Sequence, residues 1–374
     1  MKSLLLCIIG IVTISPLYSG SVRAQVTVVS GYTVTQLATG IDRPWVAGGT
    51  STNGYTGDLY VTTGSTQRIV RIDTSGTVTA FADLSAIVPF DATFWATFDL
   101  VGNYGGELFV DDDNIATPDT VYRVDSAGTG FAFASGPGTD NDVLTFDPFG
   151  AFQGSLFLHE GASLATLYRV STSGVVSAFA TGVPDFTGQI AFSPGGGFGT
   201  SMYIAGEANG LIYTIPSTHT AGQAATLFAG FQTNSGSVNA GGIAISDSGS
   251  FGTDVMYVND TNSAAIVTVD VTGATTSTFV SGLTGTTVVN LIQVGDFAGK
   301  MVLTDLGDGS IYVIAPDPPP VPSFGGMGTI ILTTLFLVAG VVAVRRSDEP
   351  RPSLGRIKGP RKGLGTDPAA SRTL

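Results

Sequence analysis

Cysteine is almost missing from this chain of 374 residues: there is one, Cys7. It falls inside an apolar N-terminal run, so a body beginning after that run would hold neither a disulfide nor a cysteine-ligated metal, and packing alone must stabilise it. Histidine occurs only as His159 and His219, and tryptophan only as Trp45 and Trp95. Charge is also scarce, at 12% of residues, and it is lopsided, with net charge −13. No Gly-x-Ser-x-Gly nucleophile turn is present, and no glycine-rich stretch opens a helix that could cradle phosphate. These shortages argue against cysteine, serine-triad and nucleotide-dependent chemistry.

What is abundant is glycine, 51 residues, set between short runs of β-branched and aromatic residues. The stretch Tyr55–Ala82 reads as three strands joined by tight polar turns, and the chain repeats it with drift as far as residue 314. The anchor is a hydrophobic triplet: Leu59-Tyr60-Val61, Leu108-Phe109-Val110, Leu156-Phe157-Leu158, Met202-Tyr203-Ile204, Met256-Tyr257-Val258 and Met301-Val302-Leu303. Spacings of 49, 48, 46, 54 and 45 residues separate them, a period that signals a repeat architecture. An aromatic precedes each triplet: Tyr55, Tyr104, Phe152, Phe198, Phe251 and Phe297. Apolar runs before and after the triplet supply the other strands, giving four per unit. A lone four-stranded sheet cannot bury both faces, whereas radial packing of such sheets does.

The ends set the number of units. The sixth stops after its third strand, at Ile314, while Tyr32–Gly40 is an orphan strand matching the fourth strand Val175–Gly182. The expected fold is therefore all-β: a six-bladed β-propeller over 25–316, closed by its N-terminal strand so that no sheet edge is left at the seam.

Both termini carry address information. Lys2, an apolar run from Leu4 to Ile14 and Val22-Arg23-Ala24 form a secretory signal, 1–24, with cleavage expected after Ala24. A Pro-rich linker, 317–324, leads into the uncharged run 325–344, long enough for a transmembrane helix, and then into a basic tail, 345–374, placed in the cytoplasm by Arg345-Arg346. Val321-Pro322, the apolar run and the arginine pair resemble the PEP-CTERM and Val-Pro-type sorting signals of bacterial surface proteins. That resemblance implies exosortase-type processing; the same three parts also make a plain single-pass anchor. Either way the body is expected outside the membrane, at the cell surface. Its basic residues are Arg43, Arg68, Arg71, Arg123, Arg169 and Lys300 against a large excess of acids, so nucleic acid is excluded as a partner.

The residues after each triplet are expected at the channel mouth formed by the loops between second and third strands. Asp111, Asp112, Glu160, Asp260 and Asp305 could supply the oxygen ligands that Ca²⁺ prefers. The competing reading is that Asp and Asn in such loops cap turns. His159 with Glu160 is the one pair placed to act as general base. Arg43, Trp45 and Trp95 could form a rim that stacks on a glycan ring, or the tryptophans could pack between blades. The strand rhythm resembles the six-bladed gluconolactonase-like and NHL-type proteins. The sugar-lactonase members hold a divalent metal with a Glu, two Asn and an Asp, and no motif here matches those positions. The sequence thus favours a non-enzymatic surface or matrix protein that binds a glycan, a surface protein or a cation. The alternative is a metal-dependent hydrolase or lyase of the sugar-lactonase type.

Overall fold

The computed structural model describes residues 25–319 apart from 65, 89–94, 113–118, 137–140, 161–165, 184–186, 207–209, 231–239 and 286. The expected signal peptide (1–24), most of the linker, the transmembrane run (325–344) and the basic tail lie outside the described residues. Among the described residues, no helix is long and apolar enough to cross a membrane. Contacts divide the chain between Asp317 and Pro318, and every strand of the repeat belongs to the first unit.

Six antiparallel sheets carry the repeat. The first blade comprises Trp45–Gly48, Leu59–Thr63, Arg68–Ile72 and Val78–Asp83. Blade two comprises Ala96–Phe98, Leu108–Asp111, Thr120–Val124 and Gly130–Ser135. Blade three comprises Asn141–Phe146, Leu156–Glu160, Thr166–Val170 and Val176–Thr181. Blade four comprises Thr187–Phe192, Ser201–Gly206, Leu211–Pro216 and Thr226–Gly230. Blade five comprises Ala240–Ser246, Val255–Asp260, Ala265–Val269 and Thr275–Ser281. Blade six takes Thr287–Leu291, Met301–Asp305 and Ser310–Pro316 from the end of the repeat and Tyr32–Ala38 from its beginning. Val34 sits opposite Ile314 and Gln36 opposite Tyr312, so the seam is an antiparallel ladder like any other in the ring. The chain is a six-bladed β-propeller.

Alternation along the second strand explains the core. Period-two side chains point to opposite faces of a sheet. Accordingly Leu59 and Val61 pack with Phe297 and Val302 of blade six, while Tyr60 packs with Phe98 and Leu108 of blade two. In five of the six repeats the aromatic before the triplet packs edge-on against other rings, as in Tyr55 against Phe98 at 5.0 Å and Tyr104 against Phe146 at 5.0 Å. Tyr55 and Tyr104 also bolt neighbouring blades through their hydroxyls. The Tyr104 hydroxyl donates to the Val170 carbonyl at 2.5 Å and accepts from the Leu156 amide at 3.3 Å. That of Tyr55 makes the equivalent pair with Val124 and Leu108. The other four repeats carry Phe at this position and rely on packing alone.

The arginine column of the third strand pairs within its own blade. Arg71 reaches Asp58 at 3.1 Å, Arg123 reaches Glu107 at 2.8 Å, and Arg169 donates to the Ser155 hydroxyl at 2.8 Å. Two short strands escape the repeat logic. Thr27–Val28 adds to the outer strand of blade five, and Gln223–Ala224 adds in parallel to the outer strand of blade three. Both cover open sheet edges.

The turns between third and fourth strands dock on the preceding blade. Asp125 accepts from the amides of Ala127 and Thr129, and Gly128 lies between them at φ +82°. A Cβ built on Gly128 would lie 2.3 Å from the Phe81 carbonyl oxygen of blade one. Gly76 and Gly174 face the same obstruction, from Leu37 and Phe133. Gly128→Ala therefore meets both an unfavourable φ and a backbone clash. We expect it to destabilise the fold by about 1–3 kcal/mol, read as a lower urea midpoint at unchanged slope. Ala127→Ser, at the exposed neighbouring position, should leave the midpoint in place.

Candidate functional site

The inner strands of all six blades surround one axial cavity of about 170 Å³. The register explains why there is space. Facing the central residue of each triplet are Ala47, Thr97, Thr145, Ala191, Ala244 and Asn290, small side chains in five of the six blades. Next along the strands, toward the loops between first and second strands, come the larger Phe98, Phe146, Phe192, Ile245 and Leu291. At that end the lining continues onto Leu100, Pro148, Phe149 and Val294.

Toward the opposite end the cavity is crossed by amide side chains. Gln189 of blade four donates to the Val289 carbonyl at 3.0 Å and to Asn290 Oδ1 at 3.1 Å. Its Oε1 accepts from the amides of Ile243 at 3.0 Å and Val289 at 3.2 Å. Asn290 Nδ2 in turn donates to the Val46 carbonyl at 3.2 Å. One glutamine and one asparagine thereby tie together blades four, five, six and one. Gly242 permits this approach, since a Cβ there would lie 2.1 Å from the Thr287 carbonyl oxygen.

Trp45 and Trp95 complete that end. Their rings pack on one another with centroids 3.8 Å apart at 37°. Trp95 is 8% exposed, and both rings line the cavity. The indole N–H of Trp45 is buried and has no hydrogen-bond partner among the described residues. Arg43, the third member of the expected rim, is exposed, with its backbone at φ 41°. Among the described residues that line the cavity none is acidic, basic or histidine.

The residues expected as cation ligands, at this same end beside the loops between second and third strands, have separate local duties. Asp111 is fully buried and accepts from the Trp95 amide at 2.8 Å, fixing the start of the inner strand. Asp112 is 2% exposed and accepts from the Thr120 amide and, at 3.2 Å, from the Tyr122 hydroxyl. Burial pushes its carboxyl above the usual range, and those two hydrogen bonds partly counter it. Asp260 accepts from the Asn262 amide at 3.1 Å and the Ser263 hydroxyl at 2.6 Å. Asp305 is fully buried and accepts from the amides of Thr284 and Gly307 and from the Thr284 hydroxyl. Glu160 ends the second strand of blade three, and its side chain lies outside the described residues. Among the described residues no three His, Cys, Asp or Glu side chains are grouped so as to hold a metal ion.

His159 differs from its expected setting. It lies on the second strand of blade three with 0% exposure, where the other blades place Thr62, Asp111, Ala205, Asn259 and Thr304. The column is polar in five of the six blades, and that is its only mark in the sequence. Asn259 shows what the position does: its Oδ1 accepts from the Thr287 amide of the next blade at 3.0 Å. Burial lowers the His159 pKa to about 3, so the ring is neutral at pH 7 and remains so well into acid. His219 sits apart, its ring 5.0 Å from that of Phe179.

Solved structures share this architecture. The chain superposes on the PQQ-bound aldose sugar dehydrogenase of Streptomyces coelicolor with TM-score 0.56 at 13% identity, covering 77% of this chain and 99% of that one. A gluconolactonase of Xanthomonas campestris matches with TM-score 0.53 at 12% identity, over 79% and 94% of the two chains. The calcium-binding protein regucalcin from Agrobacterium tumefaciens matches with TM-score 0.55 at 14% identity, over 75% and 93%. At these identities the likeness shows the fold alone. No family model matches the chain, and no curated protein matches it significantly by sequence.

The buried imidazole gives a pH prediction. Its folded pKa lies below its unfolded value of 6.5, so between about pH 6.5 and 3 the unfolded chain holds a proton that the native chain refuses. This contribution to stability is complete above pH 6.5 and is lost as pH falls, by at most about 1.4 kcal/mol per pH unit. Urea melts at pH 7.0, 5.5 and 4.5 should show a steeper acid loss for the wild type than for His159→Gln, whose side chain does not titrate.

Proposed function

We propose that the propeller is an exported binding protein, held at the cell surface by its C-terminal segment, and that its task is recognition and not catalysis. The observation that carries this reading is the axial cavity. Propeller chemistry is expected where side chains converge on the axis, and the described residues converging there are apolar or uncharged amides and hydroxyls. Nucleophilic or acid–base catalysis needs a titratable group within reach of the bound molecule. His159 is sealed between strands, and the described aspartates of the expected ligand set are held by amide and hydroxyl donors. The signal-like 1–24, the apolar 325–344 and the strongly acidic body support export and anchoring.

The second reading is a metal-dependent hydrolase of the sugar-lactonase type. What favours it is architectural likeness to a gluconolactonase and to a calcium-binding regucalcin. In that case Asp111, Asp112, Glu160, Asp260 and Asp305 would contribute to a Ca²⁺ site at the mouth between second and third strands. The binding reading would give a glycan or a surface protein as partner at the exposed loops.

Two measurements separate these readings. Isothermal titration of the body, residues 25–317, with Ca²⁺ should give no heat, and chelation should leave its melting temperature unchanged. Five- and six-membered sugar lactones with added Ca²⁺ should open no faster than in buffer. Metal-dependent turnover would replace the binding reading by the enzymatic one. For export, expression of the full chain in a secreting host should yield a mature N-terminus at Gln25. Retention of residues 1–24 on the surface-exposed protein would overturn that assignment.

A further inference from the structure

The inner strands bring their own free edges to the axis, and what those edges can hold deepens the binding reading, on which this inference rests. We infer that the axial cavity takes a small neutral molecule by its primary amide, gripped by the N–H and C=O of one inner-strand residue.

The register sets out the groups. The amides of Gly49, Asp99, Asp147, Ser193 and Ile292 donate across to the start of the second strand. In an antiparallel ladder such residues alternate with ones whose N–H and C=O both point away from that partner. The residues three positions earlier, Val46, Ala96, Leu144, Ile190 and Val289, therefore turn their peptide groups to the free edge, toward the axis. Ile243 takes the same place in blade five. Each of the six sits opposite the third residue of its triplet, so they share one level, and all six line the cavity.

Val289 shows what such an edge binds. Its N–H donates to Gln189 Oε1 at 3.2 Å and its C=O accepts from Gln189 Nε2 at 3.0 Å, so one extended residue grips both ends of a primary amide. The Ile243 N–H adds a bond to the same Oε1 at 3.0 Å, and the Val46 C=O accepts from Asn290 Nδ2 at 3.2 Å. Blades five, six and one are thus served by the chain's own amide side chains. On the opposite arc Ala96, Leu144 and Ile190 present the same N–H and C=O pair, and it has no partner among the described residues. Buried peptide groups require partners of both kinds. A primary amide supplies donor and acceptor together. A ketone answers the N–H alone. A carboxylate also leaves the C=O unanswered, and it brings a charge where no described lining residue carries the opposite one. At about 170 Å³ the space suits a molecule no larger than a single ring. Gln189, Asn290 and the two tryptophans cross one end, so entry is from the end between first and second strands.

Three probes of one shape test this: propanamide, butanone and propanoate. Each is titrated into ¹⁵N-labelled protein, residues 25–317, which contain every strand of the ring, and the backbone amide signals of Ala96, Leu144 and Ile190 are followed. Propanamide should move at least one of the three saturably. Butanone should bind about tenfold more weakly for want of a donor, and propanoate should move none. Gln189→Ala frees the Val289 pair as well. That variant should melt below the wild type, and propanamide should raise its melting temperature by more than it raises that of the wild type, whereas butanone should not. Thr145→Leu, which adds bulk to the lining from blade three, should weaken the propanamide response. No saturable shift with propanamide, equal binding of butanone or propanoate, or equal rescue of Gln189→Ala by butanone would each overturn the assignment. The wild-type ranking of the three probes decides the matter even if a variant misfolds. Metal-dependent lactone turnover, in contrast, would remove the binding reading itself.

Discussion

The ladder between Tyr32–Ala38 and Ser310–Pro316 is the contact on which the rest of the ring depends. Every blade hides its second strand by lending one face to each neighbour, so no blade is complete alone. Leu59 and Val61 need Phe297 and Val302, more than two hundred positions later, and those in turn need a sheet closed by a strand from the start of the repeat. Contacts of that sequence separation carry a loop-closure cost that local packing must first offset. The seam converts an open row of sheets, with exposed edges and half-covered end blades, into a closed ring.

Once closed, the ring is tightened by a few polar groups whose spacing follows the repeat. Tyr55 and Tyr104 tie second strands to the carbonyls of the next blade. The turn aspartates, Asp73, Asp125 and Asp270, hold amides two and four residues on, and those turns lean on the preceding blade. Gln189 and Asn290 join blades across the axis. The buried members of this set, Tyr55, Tyr104 and Gln189, each both donate and accept, which is why polar groups are tolerated so deep in an all-β core. These polar groups are thus used in joining blade to blade.

Much of the architecture was legible in the residues. Blade number, triplet positions, the strands of each repeat and the closing strand all followed from period-two alternation at a period near fifty, because a half-buried sheet leaves that imprint on every strand. Aspartate chemistry was less legible. Asp111 and Asp305 occupy positions that suit a cation ligand and a turn cap equally well, and only coordinates reveal that they accept from the Trp95 and Thr284 amides. The roles of Gln189 and Asn290 carried no sequence signal, since each acts at a single point in one blade and breaks the repeat instead of expressing it. His159 was readable as a histidine after a triplet, but its depth was not, because strand alternation says which face a residue takes and not how closely the neighbouring blade covers it.

The sequence by itself determined a ring of six four-stranded units and the strand that seals it, since burying both faces of a repeated sheet admits few other arrangements. Only the tertiary structure decided where the free volume lies and what lines it. The axial cavity depends on the sizes of six side chains brought to one level from six distant segments. Those are properties of convergence, and no single stretch of the chain contains them.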